Sequence, residues 1–188
     1  MPPVPTISAV GIGVPFRMYL SPLSLTSAPS HLLATLGRYF EAVVDAVRAE
    51  GGDVLKFLGD GVLSIFRVGE GGCTAACAAA VRAVSRAMAA AWAEDLPPFI
   101  AALHVGPVMY GNIGSPTRLD FTVVGPAVNI VSRLEGIAKA SGEMVVCSAT
   151  FASALPGALT RTIGQFELKG LEGEHEAFAV IVEQVSQA

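Results

Sequence analysis

Apolar positions recur along this chain in two rhythms, long stretches at helical spacing and short runs that are apolar throughout. From Pro29 to Glu50, Leu32, Leu33, Leu36, Phe40, Val43, Val44 and Val47 share one stripe that stops at Gly51-Gly52, which predicts a buried amphipathic helix with a glycine end. Asp53 to Leu58 and Val62 to Val68 are short apolar runs joined by Gly59-Asp60-Gly61, and Asp-Gly between two such runs predicts a tight hairpin. An alanine-rich helix over Cys73 to Ala93 follows, then strands at Phe99 to Tyr110 and Phe121 to Val124. Pro126 suits the first turn of a helix running to Ala140, with Val128, Val131, Leu134, Ile137 and Ala138 as its apolar stripe. Met144 to Ser148, a short helix near Ala149 to Leu155, and strands at Arg161 to Leu168 and Ala177 to Glu183 complete the pattern. The N-terminal stretch is the poorest match: prolines at 2, 3, 5, 15, 22 and 29 suit a central strand badly, although Val10 to Val14 can form one.

The order strand-helix-strand-strand-helix-strand predicts an α+β fold, a ferredoxin-like βαββαβ core with additional C-terminal strands and with helices packed on one face of the sheet. We expect an atypical N-terminal segment over 1–27, including a doubtful first strand, and one domain over 28–188. A length of 188 residues with 52% apolar side chains fits a single domain with a large core.

Charge narrows the partners. With a net charge of −4 and scattered arginines there is no basic stripe for nucleic acid, and a phosphate-rich small molecule is the better anion. The stretch Cys73 to Ala93 has the length of a membrane span, but Arg82 and Arg86 interrupt it, so no membrane segment is expected. Pro2, Pro3 and Pro5 break the basic region a signal peptide needs. Cys73, Cys77 and Cys147 suit neither a disulfide framework nor a zinc site and read as reduced core thiols of a cytoplasmic protein. His104 reads as a strand residue with a satisfied ring, and His175, between two glutamates, as part of a solvated turn.

Two groups of residues carry candidate chemistry. Asp60 at a rigid hairpin tip can offer oxygen to a hard cation such as Mg²⁺, although Asp is also simply a good turn residue. Lys56 stands in an otherwise apolar strand, where an ammonium needs a ligand or a counter-charge. Asn129 and Arg133 are four apart on one helix beside a strand-to-helix turn, so an amide and a guanidinium project together and can orient a sugar hydroxyl and neutralise phosphoryl charge. A solvated face with an Arg133 ion pair to Glu135 or Asp120 is the plain alternative.

The order of motifs decides between these readings. The Lys56 to Gly61 hairpin is followed by His104-Val-Gly106-Pro-Val108-Met-Tyr-Gly111-Asn-Ile113-Gly114, then Asp120-Phe-Thr-Val-Val-Gly-Pro-Ala-Val-Asn129-Ile-Val-Ser-Arg133-Leu-Glu135, then Leu168-Lys169-Gly170. Over about residues 28 to 182 the chain resembles the catalytic domain of class III adenylyl/guanylyl cyclases. The resemblance implies an enzyme that converts ATP to 3′,5′-cyclic AMP and pyrophosphate in signalling. It further implies that Asp60 holds Mg²⁺ or Mn²⁺ and that Lys56 and Thr122 read the purine edge, a pairing of the adenine type that favours ATP over GTP. Asn129 would position the ribose, Arg133 the pentavalent phosphorus, and Lys169 the terminal phosphates. In such enzymes the metal aspartates come from one protomer and the purine, ribose and phosphate residues from the other. A homodimer, or pairing with a paralogous cyclase domain, is therefore implied.

One position departs from the family. Counting back without gaps from Arg38-Tyr39-Phe40 places the second metal aspartate on Phe16, and residues 1–40 contain no Asp or Glu. A phenyl ring cannot ligate Mg²⁺, so weakened activity is expected. The alternative function is a catalytically impaired, nucleotide-binding pseudo-cyclase acting as a regulatory or dimerisation domain. Either the metal position has diverged or the first thirty residues are not the native segment.

Overall fold

The computed structural model describes residues 6–14, 17–18, 29–115, 118–168 and 170–182. The prolines that argue against an N-terminal strand flank one: Pro5 and Pro15 bracket the proline-free run Thr6–Val14, which forms β1. A strand hydrogen-bonded on both sides cannot lose its donors to proline, and this run keeps all of them. β1 pairs antiparallel with β4 on one side and β6 on the other, at the centre of a sheet ordered β3-β4-β1-β6-β7. Its members are β3 (Asp53–Leu58), β4 (Gly61–Arg67), β6 (Gly106–Ser115) and β7 (Arg118–Val124). A second sheet follows the order β2-β5-β8-β10-β9, built from β2 (Arg17–Met18), β5 (Phe99–Leu103), β8 (Val145–Ser148), β9 (Thr160–Glu167) and β10 (Glu174–Val180).

The single strand expected over Phe99 to Tyr110 is therefore two. β5 runs parallel to β8 in the second sheet, and after His104-Val105 the chain enters the first sheet as β6, antiparallel to β1 and β7. Every residue of β5 is buried, so an unbroken apolar run concealed the change of partner. His175 likewise lies on β10, half-buried and opposite Phe166, rather than on a solvated turn.

Helices cover both faces of the sheets, not one. Successive strand residues point to opposite sides, and β4 shows the result: Val62 and Phe66 join the cluster under α1 (Pro29–Ala49) and α2 (Gly72–Ala93), while Leu63 and Ile65 join Val123 and Ala127 on the side of α3 (Pro126–Ser141). β5 divides in the same way, with Phe99, Ala101 and Leu103 facing α1 and α2, and Ile100 and Ala102 facing Val131, Leu134 and Ile137 of α3. In α2 the buried row is mostly Ala76, Ala80, Ala83, Ala87 and Ala91, small side chains that allow close helix approach. The α1 stripe meets the core from Leu36 onward, and Leu33 is 69% exposed. Helical spacing says which residues share a face, not how far the covering element extends.

Candidate nucleotide site

The strand-to-helix turn after β7 needs glycine. Gly125 has φ of 151°, and a Cβ there would stand 3.2 Å from the Pro107 carbonyl oxygen. Pro126 then opens α3, whose buried row is Ala127, Val131, Leu134, Ile137 and Ala138, with Val128 only half-buried. That row turns Asn129 and Arg133 outward, and both are exposed. Among the described residues neither has an ion pair or hydrogen-bond partner, and Glu135 bonds Lys139 at 2.7 Å. The ion pair that would make Arg133 an ordinary surface residue is thus absent from the described set.

Asn129 and Arg133 line a cavity of about 730 Å³ together with Val123, Val124, Gly125, Gly170 and Leu171. This volume suits a small organic ligand. The N-terminal end of α3, where backbone N–H groups lack helical partners and no side chain caps them, opens beside it and favours negative charge. Gly170 and Leu171 form part of the cavity wall, and Lys169 lies outside the described residues.

Lys56 and Asp60 do not line this cavity; both sit on the β3–β4 hairpin. Leu58 pairs with Gly61, so the two-residue turn is Gly59-Asp60, with Gly59 at φ 65°. This is the Gly-first form of tight hairpin, one residue earlier than the Asp-Gly pair suggested. Asp60 is half-buried at the tip. Beneath it, fully buried Tyr39 has its hydroxyl pKa pushed well above the usual range, first by burial and second by the Asp60 charge. Tyr39 meets Phe99 edge-on at 5.4 Å and Phe40 at 5.6 Å, and Phe40 meets Phe57 at 4.6 Å. This row of rings ties the hairpin to α1.

Thr122 pairs with Gly111 through its backbone, and its side chain lies outside the described residues, as does Phe16. As donor chemistry, a tip carboxylate fits Mg²⁺ or Mn²⁺, which take one or two protein carboxylates and fill the rest with water and phosphate oxygen. No group of three or more His, Cys, Asp or Glu that could hold a metal occurs among the described residues.

The satisfied ring expected of His104 is present, although the residue lies between β5 and β6 rather than within a strand. Its ring is buried, with Nδ1 2.8 Å from Ser148 Oγ, and burial lowers its pKa to about 4.

Two sheets covered by helices, with a cavity at the strand-to-helix turn, form the fold of nucleotidyl cyclase catalytic domains. The crystal structure of the adenylyl cyclase CyaB from P. aeruginosa superposes with a TM-score of 0.72 at 23% identity, over 97% of this chain and 97% of that one. In sequence the chain is 31% identical over 165 residues to adenylate cyclase 1 of Rhizobium meliloti (strain 1021), covering 82% of this chain and 24% of that protein. It is 30% identical over 134 residues to adenylate cyclase of Anabaena cylindrica, covering 67% of this chain and 26% of the relative. The chain thus spans about a quarter of the length of these curated relatives. No family model matches it. It belongs to the class III adenylyl/guanylyl cyclase catalytic-domain family.

Proposed function

We propose that this chain is an adenylyl cyclase domain that forms 3′,5′-cyclic AMP and pyrophosphate from ATP, in the cytoplasm, as a dimer. The observation that carries the reading is the cavity where Asn129 and Arg133, exposed and without protein partners among the described residues, meet Gly170. In the reaction the ribose 3′ oxygen bonds to the α-phosphorus, its proton passes to solvent, and the bond from that phosphorus to the departing pyrophosphate breaks. Asn129 holds the ribose in line for attack. Arg133 donates to the phosphoryl oxygens as their charge grows, where a preformed guanidinium stabilises the transition state more than the ground state. Lys56 and Thr122 read the adenine edge, and Lys169 neutralises the terminal phosphates. Asp60 would hold Mg²⁺ or Mn²⁺, which when bound supplies charge neutralisation at the triphosphate.

Assembly follows from placement. Asp60 lies on a hairpin outside the cavity, so a complete site takes its metal carboxylate from a second copy or a paralogous domain, while Lys56 serves the purine beside Thr122 of its own chain. Phe57 and Leu58 beside the hairpin tip are 51% and 52% exposed, and Met109 and Val124 form an exposed cross-strand pair in the same sheet. These apolar residues are suited to burial against a partner.

Calorimetric titration tests the reading. ATP or a non-hydrolysable analogue, with Mn²⁺ present, should bind more tightly than GTP, and Arg133→Ala should weaken it. Equal affinity for both nucleotides, or none for either, contradicts it. A second reading, a nucleotide-binding pseudo-cyclase, is favoured by Phe16 and by the lack of acidic residues in 1–40. It predicts the same binding without turnover.

A further inference from the structure

We infer that His104 is a positioning residue: its imidazole, packed behind Gly106, sets the seat of the first turn of α3 and so aims Asn129 and Arg133 into the cavity. The catalytic consequence rests on the cyclase reading, whereas the seat rests on packing alone.

The ring is fixed on one side by hydroxyls. His104 Nδ1 lies 2.8 Å from Ser148 Oγ and 3.4 Å from Thr150 Oγ1. Ser148 Oγ also accepts the Phe151 N–H at 3.3 Å, which caps the short helix α4 (Ala149–Ala152). His104 is 7% exposed, so a ring bonded at Nδ1 and enclosed elsewhere has one orientation, and its other nitrogen has one position.

That other nitrogen lies against Gly106, next to the first turn of α3. A Cβ placed on Gly106 would stand 2.9 Å from His104 Nε2 and 2.9 Å from the Ala127 Cβ. Ala127 is the second residue of α3 and is 2% exposed. One residue further along β6, the Pro107 carbonyl oxygen closes on the Gly125 turn. The imidazole and Ala127 therefore meet over the open side of Gly106 and leave no room there for a methyl group, while Pro107 touches the Gly125 turn. Asn129 follows Ala127 by two residues, and Arg133 by one more turn. Burial keeps the ring uncharged at neutral pH, so it adds no charge behind a wall that binds an anion. Supporting groups of this kind hold a site to the fraction of an ångström that in-line transfer needs.

The test uses the full chain with two single variants. His104→Asn keeps a short polar arm near Ser148 and removes the Nε2 side; Gly106→Ala inserts the missing methyl. Amide exchange read by mass spectrometry should become about tenfold faster over 126–133 in both, with α2 unchanged, because local opening there becomes cheaper. Adding Ala127→Gly to Gly106→Ala should recover much of that protection by relieving one of the two close contacts. In parallel, kcat should fall by roughly tenfold to 10²-fold while KM for ATP stays within about threefold, the pattern of a misaimed rather than an absent group. Unchanged exchange over 126–133 in the folded variants overturns the inference. So does a loss of protection spread evenly over α2 and α3, since a residue that only stabilises the core would give that. Should wild type make no cyclic AMP, the cyclase reading fails and the exchange data still decide the role of His104.

Discussion

Asn129 and Arg133 project from a helix whose opposite face is fully packed, so truncating either removes nothing the fold uses. Arg133→Ala should change unfolding free energy by no more than about 0.5 kcal/mol, yet lower cyclic AMP formation by roughly 10²-fold or more. Denaturant unfolding beside an activity assay checks both halves, and a large stability loss would return Arg133 to a structural role. The cysteines behave in the opposite way. Burial pushes the Cys147 thiol up to about 12, and burial followed by neighbouring Cys73 raises Cys77 further. At pH 8 a disulfide reagent should therefore label half-exposed Cys73 quickly, and the other two thiols only after unfolding. His104 gives a pH signature. Its folded pKa of about 4 lies below the ordinary value, so as pH falls the unfolded chain takes up the proton first. The stability it contributes is whole above about pH 6.5 and is lost on going down to about pH 4. The unfolding midpoint should decline across that window in wild type and decline less steeply in His104→Asn.

Packing between elements sets the next set of expectations. Gly52 follows α1 where the chain turns into β3, and a Cβ there would stand 2.6 Å from the Phe66 ring and 2.8 Å from Val47 Cγ1, both in the core. Gly52→Ala should destabilise by about 1–3 kcal/mol, read from the shift of a denaturation midpoint. A neutral outcome would mean that α1 and β4 can separate at this point without cost. Elements with a clean period were legible in the sequence: α1, α2 and α3, and the β3–β4 hairpin, lie close to where the apolar pattern puts them. What pattern could not show was partnership. The break at His104-Val105 sits inside a mostly apolar stretch, with β5 wholly buried on one side and Val108 buried in β6 on the other. Nine residues of β1 were hard to see because their flanking prolines, not their own composition, coloured the segment. Leu33 belongs to the right face of a helix that outruns its cover. For the site, i,i+4 spacing was enough to bring Asn129 and Arg133 together. The hairpin that carries Lys56 and Asp60 was legible from its turn residues, but no spacing rule could reveal that it stands outside the cavity, or that His104 packs against Gly106 beside α3.

At the scale of the whole molecule, the account requires two chains to complete one site. Light scattering over a concentration series should show a dimer, and Leu58→Ser should weaken it by removing an exposed apolar side chain beside the hairpin tip. A monomer at high micromolar concentration would mean that this surface needs a different partner. In the proposed composite site, Phe16 stands where the family resemblance expects the second metal aspartate, and it lies outside the described residues. β1 ends with Val14 opposite Val62, two residues along the hairpin from Asp60. The most direct test is therefore cyclic AMP formation from ATP by the purified chain with Mg²⁺ or Mn²⁺, in wild type, in Phe16→Asp, and in Phe16→Asp with Asp60→Ala. We predict low turnover by wild type with Mg²⁺ and a partial rise with Mn²⁺, which binds carboxylate ligands more strongly. A larger rise should follow Phe16→Asp, and Asp60→Ala should abolish it. Brisk wild-type turnover with Mg²⁺ would contradict the metal placement, and a Phe16→Asp chain that stays inert with Asn129 and Arg133 intact would contradict the claim that this site is a repairable adenylyl cyclase.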